Sequence, residues 1–157
     1  MSLTLQPGIS IAGCLASRAL DLLELRMILM HVCGLTRMQL ITQDQRQLTV
    51  AEATQLNRLI AARLQGQPMA YLLGSREFFG LNFQTNPAVL IPRPDTELLV
   101  ELALQQAPAD ARVLDLGTGS GAIAIALAHS RSDLHVTAVD FSASALAVAQ
   151  ANAENLI

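Results

Sequence analysis

The sequence contains no lysine and no tryptophan, and its 157 residues hold only two cysteines and five aromatic side chains. Without lysine there is neither a Schiff-base amine nor a phosphate-loop amine, so mechanisms that need one are excluded within this chain. Cys14 and Cys33 make neither a disulfide framework nor a metal site. A reducing, cytoplasmic location is therefore the expectation. Long apolar runs are also missing: the longest is Ala122 to Ala128, well short of the roughly 18 residues that cross a bilayer. Met1-Ser2-Leu3-Thr4 puts no basic residue ahead of an apolar stretch, so no signal peptide is expected. Charge is sparse at 15%, but hydrophobic residues make up 52%, which is ample for a core and excludes intrinsic disorder.

The ten basic residues, all arginine, stand against 13 acids for a net charge of −3. Their placement is uneven. Residues 1–73 hold six Arg against four acids, a net of +2; residues 74–157 hold four against nine, a net of −5. Neither part has the dense basic patch of a non-specific nucleic-acid binder, and the asymmetry points to two parts with different roles.

The first part, residues 1–73, reads as a helical bundle. Ser10 to Arg18 is a weak helix. Asp21 to Cys33 is a stronger one, with Leu22, Leu25, Leu29 and Val32 at helical spacing and Gly34 as C-cap. A third begins at Thr49, where Thr49 and Glu52 have capping-box spacing; Val50, Ala53, Leu56, Leu59, Ile60 and Leu64 are its expected buried stripe, and Gly66 and Pro68 end it. A short helix near Pro68 to Leu73 follows. His31 reads as a packed or surface residue rather than a ligand. Residues 74–93 change character, punctuated by glycine, asparagine and proline. Strands over about Glu77–Phe79 and Phe83–Thr85, joined near Gly80-Leu81-Asn82, predict a hairpin that connects two domains. From Pro94 to the end the pattern is helix, strand, helix, strand, helix. Pro94 suits a first helical turn, with Asp95 and Glu97 favourable against the dipole. Arg112–Leu116 and Leu134–Val139 are the strands. Strands alternating with helices predict a parallel α/β sheet.

Val113-Leu114-Asp115-Leu116-Gly117-Thr118-Gly119-Ser120-Gly121 lies where a strand ends and a helix begins. Three glycines alternating there permit a tight turn and close approach of a ligand to the backbone. Gly117, Gly119 and Ala122 also satisfy the looser dinucleotide form, and Asp140, about 20 residues on, suits ribose hydroxyls with either ligand or caps the following helix. Asp115 separates the two ligands: a carboxylate two residues before the turn repels a pyrophosphate and attracts a cation. At about 4 Å the sign is worth roughly 1–4 kcal/mol. S-adenosylmethionine, with a ribose, an ammonium and a sulfonium but no phosphate, is favoured over a dinucleotide.

Ile91-Pro92-Arg93-Pro94-Asp95-Thr96-Glu97 followed by Asp115-Leu116-Gly117-Thr118-Gly119-Ser120-Gly121 resembles the HemK/PrmC family, the protein-(glutamine-N5) methyltransferases of peptide chain release factors. Arg76-Glu77-Phe78, Phe79-Gly80, Leu20-Asp21 and Gly66-Gln67-Pro68 are similar to that family as well. The resemblance implies an α/β fold: a helical release-factor-docking domain (1–73), a hairpin linker (74–93), and the first part of a Rossmann-like S-adenosylmethionine-dependent methyltransferase domain (94–157). It implies methyl transfer to the glutamine amide of a Gly-Gly-Gln motif, with class 1 release factors as partners and no direct binding of nucleic acid or membrane. Asp115, Gly117, Thr118, Gly119, Ser120, Gly121 and Asp140 are the expected cofactor residues, and Arg93, Thr96 and Glu97 are expected to line the pocket. In the family an Asn-Pro-Pro-Tyr motif holds the amide. It is absent here, and Asn86-Pro87-Ala88-Val89 reads as a turn, so no catalytic residue and no metal ligand is assigned within the chain. The chain is expected to be the front of a larger protein, inactive and unstable alone. Two other readings stand beside this one. One is a methyltransferase acting on a nucleic-acid amine, which the missing basic cluster disfavours. The other is a non-catalytic helical interaction module.

Overall fold

The computed structural model describes residues 4–157. Two compact units divide between Leu73 and Gly74.

In the first unit, α1 (Ile11–Ala16), α2 (Leu22–Cys33), α3 (Arg37–Thr42), α4 (Val50–Leu64) and α5 (Met69–Leu73) surround one apolar cluster. Local chemistry sets the ends. Asp21 caps α2 by accepting from Leu23 N at 2.9 Å, and Gly34 closes it in the left-handed conformation. Thr49 and Glu52 form the capping box of α4. Glu52 also holds Arg46 at 2.6 Å. Burial pushes the Glu52 carboxyl up, and the bonds from Arg46 and Thr49 outweigh it, leaving the carboxyl below its ordinary value. Helix α3 was not expected; it is six residues long with Leu40 as its one buried side chain, too short to show a stripe. Its signal is the capping box of Thr36 and Gln39. The α4 stripe is shorter than expected. Ala53, Leu56, Leu59 and Ile60 are buried, whereas Val50 and Leu64, at the two helix ends, are exposed.

In the second unit, β1 (Ser75–Phe78) and β2 (Leu81–Gln84) pair antiparallel, with Phe78 opposite Leu81. The turn is Phe79-Gly80, not the expected Gly80-Leu81-Asn82. A two-residue hairpin loop with positive φ at both positions, 52° and 76°, is a type I′ turn, whose twist matches the strands. Gly80 supplies that conformation freely. Phe79 is held in it: its N–H donates to Glu97 Oε1 at 3.0 Å, and Gly80 N donates to Glu77 Oε1 at 2.7 Å. Phe78 and Phe83 are buried with Val100, Ile125 and Leu127, so the hairpin shares the core of the elements that follow it.

A 3-10 turn (Pro94–Thr96) leads into α6 (Glu97–Gln106). Then come β3 (Arg112–Leu116), α7 (Ala122–Ser130), β4 (His135–Val139) and α8 (Ala143–Leu156). β3 and β4 pair in parallel from Arg112↔His135 to Leu116↔Val139, the expected α/β pattern. Arg131 stitches the end of α6 to the loop before β4, donating to the carbonyls of Leu104, Ala107 and Pro108 and pairing with Asp133. The ribbon is covered on one face only. Val113 is packed in the core, whereas Leu114 and Leu116, on the other face, are 58% and 73% exposed.

Candidate functional site

The glycine turn joins β3 to α7, and Gly117, Gly119 and Gly121 all have positive φ. Gly121 is needed twice over. Besides its φ of 82°, a Cβ there would lie 2.7 Å from Ile125 Cδ1 and 3.3 Å from Ala149 Cβ.

The hydrogen bonds of the turn decide what it offers a ligand. Gly117 N and Thr118 N both donate to Val139 O, at 2.8 and 3.0 Å. Gly119 N donates to Asp140 Oδ2 at 2.9 Å, and Gly121 N to Thr118 O at 2.9 Å. Among the described residues the carbonyls of Gly117 and Gly119 and the amide of Ser120 have no protein partner. A phosphate cradle needs a convergent set of free N–H groups. This turn has spent four of its five amides internally and leaves two carbonyl acceptors free, beside the Asp115 carboxylate. Asp115 Oδ2 accepts from Thr118 Oγ1 at 2.7 Å, so the turn and the carboxylate are fixed to each other. An acceptor-rich turn of this kind suits a ligand carrying positive charge.

Asp140 stands at the end of β4. Its Oδ1 accepts from Ser142 N and its Oδ2 from Gly119 N, both at 2.9 Å. Those two amides hold its carboxyl below the ordinary value. Ser142, rather than Asp140, caps α8 by accepting from Ala145 N.

Arg93 and Thr96 lie beside the turn. With Leu90, Ile91 and Pro92 they face Gly117–Ser120, Ala122 and Ile123 across a recess of about 140 Å³. Glu97 is directed elsewhere, to the hairpin amide of Phe79. Asn86-Pro87-Ala88-Val89 is a turn, with Asn86 Oδ1 accepting from Ala88 N at 2.8 Å. Sequence reasoning missed Asn152, which reaches the turn from α8 by donating to Ser120 O at 2.9 Å; its signal is a polar residue interrupting the alanine-rich face of a helix.

Other chemistry-bearing groups are quieter. Burial pushes the Cys14 thiol up to about 11, with Cys33 adding to the effect, so Cys14 is no nucleophile. His31 is exposed on α2. Among the described residues no group of three or more His, Cys, Asp or Glu is placed to hold a metal ion, and no helix is long and apolar enough to cross a membrane.

Residues 11–74 match the family described as "PrmC N-terminal domain", and residues 93–156, which contain the turn, match "Methyltransferase small domain". In both units the chain is similar to curated release factor glutamine methyltransferases. Three relatives named "Release factor glutamine methyltransferase" illustrate the similarity. The Bordetella pertussis protein is 53% identical over 144 residues, covering 90% of this chain and 53% of that protein. The Neisseria gonorrhoeae protein is 47% identical over 134 residues, 85% of this chain and 49% of that one. The Burkholderia pseudomallei protein is 46% identical over 148 residues, 93% and 52%. The chain spans about half the length of the curated relatives it matches. The methyltransferase match runs from Arg93 through Asp115, the glycine turn and Asp140, and includes Asn152.

Proposed function

We propose that this chain carries the S-adenosylmethionine-binding part of an enzyme that methylates the glutamine side-chain amide in the Gly-Gly-Gln motif of class 1 peptide chain release factors. The observation that carries the cofactor reading is the turn whose amides are consumed by Val139, Asp140 and Thr118 while its free groups are mostly acceptors. The substrate reading rests on the relatives' name.

Bound there, the cofactor supplies an electrophilic methyl group. The chain's own residues bind and orient. Asp115 has Oδ1 to spare for the ammonium, because Thr118 occupies Oδ2. Each Asp140 oxygen takes one backbone N–H and retains a lone pair for a ribose hydroxyl. Arg93 and Thr96 line the recess, whereas Glu97 is engaged by the hairpin amide of Phe79. A recess of 140 Å³ is below the roughly 300–1,000 Å³ of a site that encloses a small ligand, so these walls take only part of the molecule. The target amide is a poor nucleophile and needs acceptors for its N–H groups. The Asn-Pro-Pro-Tyr motif that the family resemblance assigns to that task is not among these 157 residues. The 157-residue chain alone is therefore proposed to transfer little or no methyl. The helical unit, with six Arg against four acids, is the proposed docking surface for the release factor, and the cytoplasm the proposed location.

The test is to incubate the full gene product with methyl-labelled S-adenosylmethionine and a release factor and to map the label. Label on the glutamine of Gly-Gly-Gln is expected. Label only in DNA or RNA would support action on a nucleic-acid amine instead, and none at all a non-catalytic interaction module.

A further inference from the structure

Asn152 is among the most enclosed polar side chains described, 1% exposed on α8. Its amide makes three hydrogen bonds. Oδ1 accepts from Gln84 N at 2.7 Å, and Nδ2 donates to Gln84 O at 3.1 Å and to Ser120 O at 2.9 Å. The pairing with Gln84 follows from the hairpin register. Phe78↔Leu81 closes the two-residue turn and is hydrogen-bonded, so Glu77↔Asn82 is not, Arg76↔Phe83 is, and Ser75↔Gln84 is not. The N–H and C=O of Gln84 therefore point away from β1, along the open edge of β2. Asn152 meets both as a neighbouring strand would. Its second N–H is then left for the glycine turn.

We propose that Asn152 is a positioning residue for the cofactor turn, coupling the β1–β2 hairpin to it. The inference rests on the S-adenosylmethionine reading of the site. The Ser120–Gly121 peptide is held at both ends, its carbonyl by Asn152 and its N–H by Thr118 O. Val139 O holds two amides of the turn and Asp140 a third, all from β4 and its end, while Asp115 of β3 holds the Thr118 hydroxyl. Asn152 is the tether from α8, and Ala149, one turn earlier on the same helix face, closes against Gly121. Bonded to Asn152, Ser120 O is taken out of the set of free acceptors on the turn, which leaves the Gly117 and Gly119 carbonyls. The task requires a group with one acceptor and two donors in one plane. A carboxylate would set its oxygens against the carbonyls of Gln84 and Ser120, and an apolar side chain would leave three backbone groups without this partner, the buried Ser120 carbonyl among them.

The test uses the full gene product and measures S-adenosylmethionine affinity by calorimetry beside the melting temperature. Asn152→Ala is expected to raise the cofactor Kd about tenfold, the usual effect of losing a fixed hydrogen bond, with the maximal rate at saturating cofactor within about twofold. Asn152→Asp is expected to be worse than Asn152→Ala. Val100→Ala, a core change outside the site, supplies the control: at a comparable loss of melting temperature it leaves Kd within about twofold. Gln84→Pro removes the N–H that anchors Oδ1 from an edge position where proline is tolerated, and so remains informative if Asn152→Ala does not fold. Gln84→Pro is expected to raise Kd, and the double variant to add nothing to the larger single effect. A wild type that binds S-adenosylmethionine together with folded variants that bind it equally well would overturn the coupling. A wild type that binds none overturns the cofactor reading and this inference with it.

Discussion

Asp140 serves the turn as well as the proposed ribose contact. Two backbone amides already hold its carboxylate before any ribose arrives. Asp140→Ala should therefore loosen Gly119 as well as remove a ribose contact. Calorimetry on the full gene product is expected to show at least about a tenfold weaker S-adenosylmethionine Kd; unchanged affinity would remove Asp140 from the site. Acid dependence follows from the same bonds. The folded-state carboxyl is depressed by Ser142 N and Gly119 N, so its stabilisation is present above the unfolded carboxylate range and is lost as pH falls through the folded value. An Asp140→Asn variant should show a flatter loss of melting temperature on the acid side. Asp133 offers a sharper reading of the same kind. Its bond from Arg131, and after that the amide of Asp110, bring it down to about 2, so its carboxyl carbon should keep its ionised chemical shift until the pH approaches that value. Asp115 and Asp140 were legible in the sequence because each sits at a strand end a fixed distance from a turn that only glycine can make. Asn152 and the bond between Glu97 and Phe79 were not. They join residues 68, 32 and 18 positions apart, and no local spacing announces them.

Helix ends and hairpin turns carry their own consequences. The capping box of α4 uses both side chains: Thr49 Oγ1 accepts from Glu52 N at 3.2 Å and Glu52 Oε2 from Thr49 N at 2.8 Å. Thr49→Ala should cost about 1 kcal/mol in a denaturant titration. Gly121→Ala meets both a left-handed φ and the Cβ of Ala149, so about 1–3 kcal/mol is expected, with weaker cofactor binding because the same peptide belongs to the turn. Most elements could be read from periodicity, down to β3 at Arg112–Leu116. The hairpin register could not. Nothing in the residues flanking Phe79-Gly80 shows that an aromatic residue takes positive φ; the carboxylate that fixes it comes from the helix beginning at Glu97. The α4 stripe was over-read for a related reason: spacing names a face, but only neighbours decide how far along the helix that face stays covered.

At the scale of the molecule, both units have an apolar cluster, and both leave apolar side chains exposed, among them Leu23, Met38 and Ile41 in the helical unit. The helical unit surrounds a cluster from Leu5 to Ile60. The α/β unit leaves Leu114, Leu116 and Phe141 uncovered, with Phe141 fully exposed. Apolar patches of this kind mark surfaces that bind something or associate. The 157-residue chain alone should therefore sediment as a concentration-dependent mixture, and Leu114→Thr with Leu116→Thr should shift it toward the monomer while leaving the Thr49 cap and the glycine turn intact. The helical content, the parallel pair and the position of the turn were all legible from the alternation of strands and helices. The bare face was legible only as the expectation of a partial sheet, because Leu114 and Leu116 look like core residues until the structure shows nothing packed against them.

The parallel pair of β3 and β4 has one further consequence. Along each strand every second amide points at its partner, and the amides between point outward from the ribbon. Deuterium uptake should therefore alternate residue by residue: slow at Val113 and Asp115 against fast at Arg112, Leu114 and Leu116, and slow at His135, Thr137 and Val139 against fast at Val136 and Ala138. A strand laid along either side would slow the fast set on that side alone, so the isotope pattern reports which flank of the ribbon has acquired a neighbour.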